Sequence, residues 1–375
     1  MSEVWDVVVA GAGIVGAACA AECAGLGLRT AVVEAAEIGG GATAAGMGHI
    51  VVMDDSPAQM ALTHYSQTLW HALSPHLGPA VEYESCGTLW VAVDDQEMDE
   101  VRRKHRVYAS AGVTTEILDS HSLAEAEPHL RQPLAGALLV PSDGVLYPPC
   151  AAACLMEQAQ HNGARLYAPR RVVFARAGTA RLDDGTELHA AHIVLAGGAD
   201  TVQLLPELPI RGRKGHLVIT DRYPGMVRHQ LVELGYLKSA HSVTTDSVAF
   251  NVQPRRTGQI LIGSSRQYGA EDSAVDHEIL AAMIDRTRWY LPDAGSLSAI
   301  RVWTGFRAAT PDKLPLIGPW PGDETLILAT GHEGLGITTS LATARLVADH
   351  LLGRKPKISI EPYLPERFSR SLAHA

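Results

Sequence analysis

Val7-Val8-Val9-Ala10-Gly11-Ala12-Gly13-Ile14-Val15-Gly16 opens the stretch that decides the reading of this chain, and the stretch runs on to Glu34. An apolar run, Val7 to Ala10, enters a glycine-spaced turn, and an apolar segment of helical character, Ile14 to Leu26, leaves it. A second apolar run, Thr30 to Val33, ends in Glu34, eighteen positions after Gly16. Strand, tight turn, helix, strand and acid in that order make a dinucleotide-binding unit. Gly11 supplies the sharp turn, Gly13 lets the backbone approach a pyrophosphate, and Gly16 lets the helix sit close on the sheet. The free N–H groups and positive end of the helix would then face the phosphates. Glu34 is placed to accept from ribose hydroxyls, which favours an adenosine without a 2′-phosphate. Three glycines alone are a weak signal. The strand, helix and acid around them make a ligand-free glycine turn the poorer reading.

Composition sets the wider bounds. The chain has 375 residues, enough for two domains or for one with a large insert. Hydrophobic residues make up 46% and charged ones 19%, as in an ordinary globular protein. The formal charge of −10 gives no electrostatic case for nucleic acid or an anionic membrane surface. Five cysteines, without a C-x-x-C pair, fit buried thiols in a reducing compartment better than disulfides, zinc or an iron–sulfur cluster. No metal site is expected. Val7 to Leu28 is apolar enough to be mistaken for a membrane span, but its glycines, Glu22 and the strand-to-helix switch argue against one. With no basic leader or cleavage pattern, the expectation is a cytoplasmic protein whose only association with a membrane would run through partners.

Outward from Glu34, the run Ile38-Gly-Gly-Gly-Ala-Thr-Ala-Ala-Gly-Met-Gly-His49 is too rich in glycine and alanine for a solvated linker. Small residues there let backbone lie against a flat ligand, and Thr43 can offer a hydroxyl to a phosphate. For His49 a place in a flexible loop competes with a functional one. Pro57 to Leu77 has helical spacing and reads as core. Gly87 to Val93 reads as a strand, Asp95 to Ala111 as a charged helix whose run Glu97 to Arg106 is a solvated face, and a short helix ends at Glu127. Pro148 to Gly163 is a further helix. Arg170 to Ala177, Thr179 to Leu182 and Glu187 to His189 form a small meander turning at Asp183-Asp184-Gly185. His192 to Ala196 is a buried strand running into Gly197-Gly198-Ala199-Asp200, a second close approach of backbone to the ligand. From Ile210 to Val302 strands such as Ser247 to Val252 and Gln259 to Gly263 alternate, with one helix from Asp276 to Tyr290, as in an antiparallel sheet.

Two C-terminal stretches make the pattern specific. They are Trp303-Thr-Gly-Phe-Arg-Ala-Ala-Thr-Pro-Asp-Lys-Leu-Pro-Leu-Ile-Gly318 and Ile327-Leu-Ala-Thr-Gly-His-Glu-Gly-Leu-Gly-Ile-Thr-Thr339, the second opening a final helix from Ser340 to Leu352. With the N-terminal motif and Val194-Leu-Ala-Gly-Gly198, the chain resembles the glycine oxidase and D-amino acid oxidase (DAO) family of FAD flavoproteins over nearly its whole length. The resemblance implies an α/β (α+β) fold: a Rossmann-type FAD-binding domain, discontinuous over 1–80, 142–208 and 316–375, with an inserted antiparallel substrate-binding domain over 81–141 and 209–315. It implies FAD as cofactor and oxidation of an amine carbon of a small amino acid substrate.

The same resemblance implies the site. Arg307 occupies the place of the arginine that grips the substrate carboxylate, which a planar guanidinium does with two parallel hydrogen bonds and a lysine cannot; a structural ion pair is the competing role. The implied cofactor contacts are Gly11, Ala12, Gly13, Ile14, Val15 and Gly16; Glu34 and Ala35; Gly41, Ala42, Thr43, Ala44, Gly46, Met47 and Gly48; Val172 and Val173; Ala196, Gly197 and Gly198; Arg307; and Gly331, His332, Glu333, Gly334, Leu335, Gly336, Ile337 and Thr338. The N–H groups of Gly331 to Gly336 should face the pyrimidine edge of the flavin, where negative charge develops on reduction. His332 can add to this or serve as a cap, and His49 is the nearest candidate for a covalent link to the cofactor.

The chain also departs from the glycine oxidase pattern. Gly334-Leu335 stands where that enzyme carries Arg-Asn, and the expected substrate-domain tyrosine is not evident near Phe250 and Asn251. Gly48-His-Ile-Val-Val-Met-Asp-Asp55 and Gly331 to Thr339 look like the catalytic subunits of D-hydroxyproline dehydrogenases, which are similar to hydrogen cyanide synthase and opine oxidase subunits. Those relatives imply a heteromeric complex in which partner subunits with iron–sulfur centres take the electrons. The expected activity is therefore an FAD-dependent dehydrogenase of a D-configured or cyclic amino acid, foremost cis-4-hydroxy-D-proline. The competing readings are an oxygen-using oxidase, a flavin-binding electron-transfer subunit, and the NAD-dependent dehydrogenase that the glycine motif alone would allow.

Overall fold

Val4–Ala10 and Thr30–Val33, the strands that bracket the glycine turn, pair in parallel at the centre of an eight-stranded sheet. The computed structural model describes residues 4–235 and 246–368. The sheet runs Leu316–Trp320, Asp323–Thr330, Glu187–Leu195, Val4–Ala10, Thr30–Val33 and Arg165–Tyr167, and the hairpin Val172–Arg176 and Thr179–Leu182 is attached along Glu187–Leu195. Chain passages far apart in sequence thus lie side by side. Glu187–Leu195 is one strand rather than the two that the sequence suggests. Its first half closes the meander, with Thr179 opposite His189, while the same strand continues parallel to Val4–Ala10 as far as Leu195.

The helix Ile14–Gly25 is buried on nearly every side, which explains its membrane-like composition. Its alanines, glycines and cysteines let it approach both Pro148–His161 and Gly336–Leu351 closely. Cys19 and Cys23 lie inside this packing, and burial pushes both thiols up, Cys23 to about 12. Among the described residues no group of three or more His, Cys, Asp or Glu is placed to hold a metal, and no helix is long and apolar enough to cross a membrane.

A second eight-stranded sheet runs Ala299–Ala309, Arg211–Arg222, Gln259–Arg266, Ser247–Pro254, Gln230–Glu233, Thr88–Ala92, Gly136–Val140 and Glu116–Asp119. Its pairs are antiparallel except for Gln230–Glu233 with Thr88–Ala92, which is parallel. These two strands come from separate excursions of the chain, so no hairpin sets their relative direction.

Two further expectations change. The helix Asp95–Ser110 is not solvated along all of its charge run. Lys104 is fully buried, paired with the buried Asp54, and its ammonium lies over the rings of Trp90 and Tyr108. A cation inside a protein needs such partners, and the aromatic faces supply part of what water would. The last helix begins at Gly336, four residues before Ser340, because Gly336, Ile337, Thr338 and Thr339 already follow helical geometry once Leu335 N–H bonds back to His332 O.

Candidate active site

At the nucleotide end, Gly11 holds φ +108°, and a Cβ there would come within 2.8 Å of Ala196 O. A Cβ on Gly16 would overlap Gly11 O. The turn is therefore tight for the reasons the spacing suggests. Gly13 has no side chain to cap the helix that follows. Thr43 does it from another segment, its Oγ1 accepting from Ile14 N–H at 3.0 Å. The Thr43 hydroxyl proton remains to donate, the direction a phosphate oxygen requires. Glu34 is held at the end of its strand by Ala12 N–H at 2.6 Å and Ala36 N–H at 2.9 Å.

These groups open into a cleft of about 970 Å³ that continues between the two sheets, at the upper end of the range for small-molecule sites. Three glycines on neighbouring strands flatten the second sheet: Gly215 and Gly305 line the cleft, and Gly263 lies against Met47 and Leu217, which line it. A Cβ on Gly305 would overlap Ala45 Cβ, one on Gly263 would meet Met47 Sδ and Leu217 at 2.9 Å, and one on Gly215 would overlap the Arg307 guanidinium. The segment Ala45–Met47 and Arg307 both depend on that missing bulk. Met47 is fixed further by Gln253, whose Nε2 donates to Met47 O at 2.6 Å.

Arg307 lies half-buried on the strand Ala299–Ala309 and lines the cleft. Its Nη1 donates to Ser265 O at 3.0 Å. Gly334 lies against its stem, where a Cβ would stand 3.2 Å from Cδ. Directly opposite, Arg213 is taken up by Glu333 in an ion pair with both side chains about 6% exposed. Burial pushes the Glu333 carboxyl up, and Arg213 is the strongest influence pulling it back. Glu333 sits at φ +39° between Gly331 and Gly334, both left-handed, a strained backbone that its ion pair and the bond from Glu333 N–H to Ala308 O (3.0 Å) hold in place.

The two histidines behave differently from Arg307. His332 lines the cleft but is buried, its Nε2 3.0 Å from Thr343 Oγ1 on the last helix. Burial lowers its pKa to about 3. It ties the turn to the helix, and burial keeps its neutral form. His49 also lines the cleft; burial, with a weaker push from Arg307 and against a contact with Gln253, lowers it to about 4, and its Nε2 is buried without a hydrogen-bond partner.

Most of the residues singled out from sequence reach the cleft: Gly11 and Gly13 to Val15, Glu34 and Ala35, Gly41 to Thr43, Gly46 to His49, Val172, Ala196 to Gly198, Arg307 and Gly331 to Ile337. Five do not form its wall. Ala12 is buried and used by Glu34, and Gly16 is pressed against Gly11 O. Ala44 and Val173 turn outward and are exposed. Thr338 donates to His49 O at 2.8 Å and its own carbonyl accepts from Trp70 Nε1, so it supports the cleft from behind. Sequence reasoning missed Gly215, Gly263 and Gly305, whose only signal is a glycine on the inward-facing register of each strand. It also missed Thr88, Trp90 and Gln230 on the far wall.

Comparison with known proteins agrees with this geometry. The family model described as FAD dependent oxidoreductase (DAO) matches residues 6–350. The chain belongs to this family. Its cofactor is accordingly FAD rather than a nicotinamide nucleotide, and the glycine cradle at Gly11 and Gly16, the flattened face at Gly263 and Gly305 and the unpartnered His49 Nε2 suit a long ligand with a flat end. The glycine oxidase of Pseudomonas aeruginosa is 31% identical over 97% of this chain and 99% of its own length. Hydrogen cyanide synthase subunit HcnC of the same organism is 27% identical over 98% and 97%, and the D-amino acid dehydrogenase of Granulibacter bethesdensis 28% over 79% and 71%. The crystal structure of glycine oxidase from Geobacillus kaustophilus superposes with a TM-score of 0.86 at 26% identity, covering 97% of this chain and 98% of that one.

Proposed function

We propose that this FAD-dependent oxidoreductase is a dehydrogenase of a D-configured or cyclic amino acid, with cis-4-hydroxy-D-proline as the foremost candidate. The observation that carries the reading is Arg307, a guanidinium on the cleft wall between Gly215 and Gly334, where it binds and orients a carboxylate. When bound, FAD supplies the acceptor for the hydride that leaves the substrate's α-carbon. The chain's own part is alignment and electrostatics: Arg307 takes the carboxylate, neutral His49 and His332 add no competing cation, and the start of Gly336–Leu351 lends its N–H groups to the cleft. On this reading residues 1–80, 142–208 and 316–375 hold the cofactor, and 81–141 and 209–315 the substrate.

The absence of the Arg-Asn pair at Gly334-Leu335 favours a substrate other than glycine. The resemblance of Gly48 to Asp55 and Gly331 to Thr339 to D-hydroxyproline dehydrogenase subunits, and the similarity to HcnC, itself named as a subunit, support transfer of electrons to partner subunits with iron–sulfur centres or to a quinone. Through such partners the chain would associate with a membrane. An oxygen-using amino acid oxidase is the second reading, favoured by the 31% identity to a glycine oxidase.

Anaerobic mixing with candidate substrates tests the proposal. Flavin absorbance should bleach with cis-4-hydroxy-D-proline, and turnover in air should yield little peroxide. Bleaching by glycine or sarcosine but not by D-proline derivatives would remove the substrate assignment, and stoichiometric peroxide would favour the oxidase.

A further inference from the structure

The wall of the cleft contributed by Thr88–Ala92, Gln230–Glu233 and Ser247–Pro254 carries polar atoms that nothing in the described protein uses. Register places Thr88 beside Gln230, Trp90 beside Val232 and Val232 beside Asn251, so the four side chains of Trp90, Gln230, Val232 and Asn251 share one face. Gln230 is the diagonal neighbour of both Trp90 and Asn251, with Val232 between them. All four line the cleft, and none is more than 7% exposed. Trp90 Nε1, Gln230 Oε1 and Asn251 Oδ1 are each buried with no hydrogen-bond partner. The Gln230 amide is oriented by its other end, since Nε2 donates to Gly144 O at 3.2 Å and also meets Thr88 Oγ1 at 3.2 Å. Its oxygen is therefore the free acceptor.

Buried polar groups are normally paired, and three unpaired ones on one patch of a ligand cleft point to something the ligand brings. We infer that Trp90, Gln230 and Asn251 form a second recognition subsite that reads a hydroxyl on the substrate's side chain or ring. This deepens the proposed function and rests on it, since Arg307 must hold the carboxylate of the same molecule. A hydroxyl donates its one proton to one of the two amide oxygens and accepts from the indole N–H, leaving the other oxygen to an N–H of the substrate's amine. A second carboxylate would face two buried amide oxygens, which repel it. An aliphatic side chain would leave the indole N–H and one amide oxygen unsatisfied, which is how a site built for a hydroxyl rejects the analogue lacking it.

The test uses matched pairs, cis-4-hydroxy-D-proline against D-proline and D-serine against D-alanine, followed by anaerobic flavin bleaching on the intact flavoprotein. The hydroxylated member of the pair that reacts should be preferred at least about tenfold in kcat/KM. Asn251→Leu, close in shape, should cut that preference about tenfold, and Trp90→Phe, which removes the N–H together with part of the buried ring, should reduce it while flavin stays bound. Flavin content reports folding, so a variant that loses its yellow colour is replaced by Gln230→Met in the same comparison. No preference within a reacting pair, or equal depression of both members by Asn251→Leu and Trp90→Phe, overturns the subsite while leaving the amino acid reading intact. Bleaching by glycine alone overturns both.

Discussion

Arg213 and Glu333 form a buried ion pair that joins the second sheet to the turn before the last helix, directly across the strand pair from Arg307. Two guanidinium groups on facing strands repel, and Glu333 balances one of them. Removing one partner of a buried pair leaves a charge without compensation. Glu333→Gln is therefore expected to lower stability by about 3 kcal/mol, read as a shift in the urea midpoint. The double replacement Arg213→Met with Glu333→Leu should recover part of the loss, because no bare charge remains. A double variant no more stable than Glu333→Gln would show that the pair's shape, not its charge, matters.

Arg307→Lys keeps a positive charge but not the planar fork. It should lower kcat/KM for an amino acid substrate by roughly 100-fold, chiefly through KM, while the visible spectrum of bound flavin stays as in the parent. An unchanged kcat/KM would place the substrate carboxylate elsewhere.

Thr43 caps a helix that begins at a residue without a side chain. Thr43→Val should destabilise the protein by about 1 kcal/mol and weaken FAD retention on dialysis, and Thr43→Ser should restore both. Equal behaviour of the valine and serine variants would rule the cap out.

Stability should depend on pH below neutrality. His49 and His332 are lowered to about 4 and about 3, so from about pH 6.5 downward the unfolded chain binds their protons and the native protein does not; stability then falls as pH falls. Asp143 works in the opposite sense: burial raises it to about 7, against hydrogen bonds from Thr88, Val52 and Gln67, so the native state holds that proton while the unfolded state releases it near pH 4. For these three groups the balance between about pH 4.5 and 6 is two protons against one. In urea denaturation with FAD in excess these three groups should together make stability rise with pH by about 1.4 kcal/mol per unit. His332→Gln should lower the measured slope by about that amount, and a slope unaffected by the replacement would assign it to other groups.

The nucleotide end was legible because its constraints are local. Gly11, Gly13, Gly16 and Glu34 lie in one strand–turn–helix–strand unit, where backbone sterics act over a few residues. The second sheet's wall was not, because its character comes from register between strands far apart in sequence. Asn251 is unremarkable as a residue, and it becomes part of a polar patch only when Val232 and Trp90 are placed beside it. Lys104 misled for the same reason: a charged residue in a charged run reads as solvated until Asp54, some fifty positions earlier, closes over it. The start of the last helix was read four residues late because Gly336 looks like a breaker, although it is the first helical residue.

Val4–Ala10 has Glu187–Leu195 as its neighbour, and Asp323–Thr330 lies beyond that, while Ile14–Gly25 packs on Gly336–Leu351. The ligand cleft therefore takes wall residues from the first strand, at Ala10, and from the start of the last long helix, at Ile337. A nascent chain still attached to the ribosome has its glycine turn but not the helix that closes behind it. The cleft is therefore complete only once Gly336–Leu351 has been made, and truncation within that helix is expected to remove colour as damage to the first glycines would.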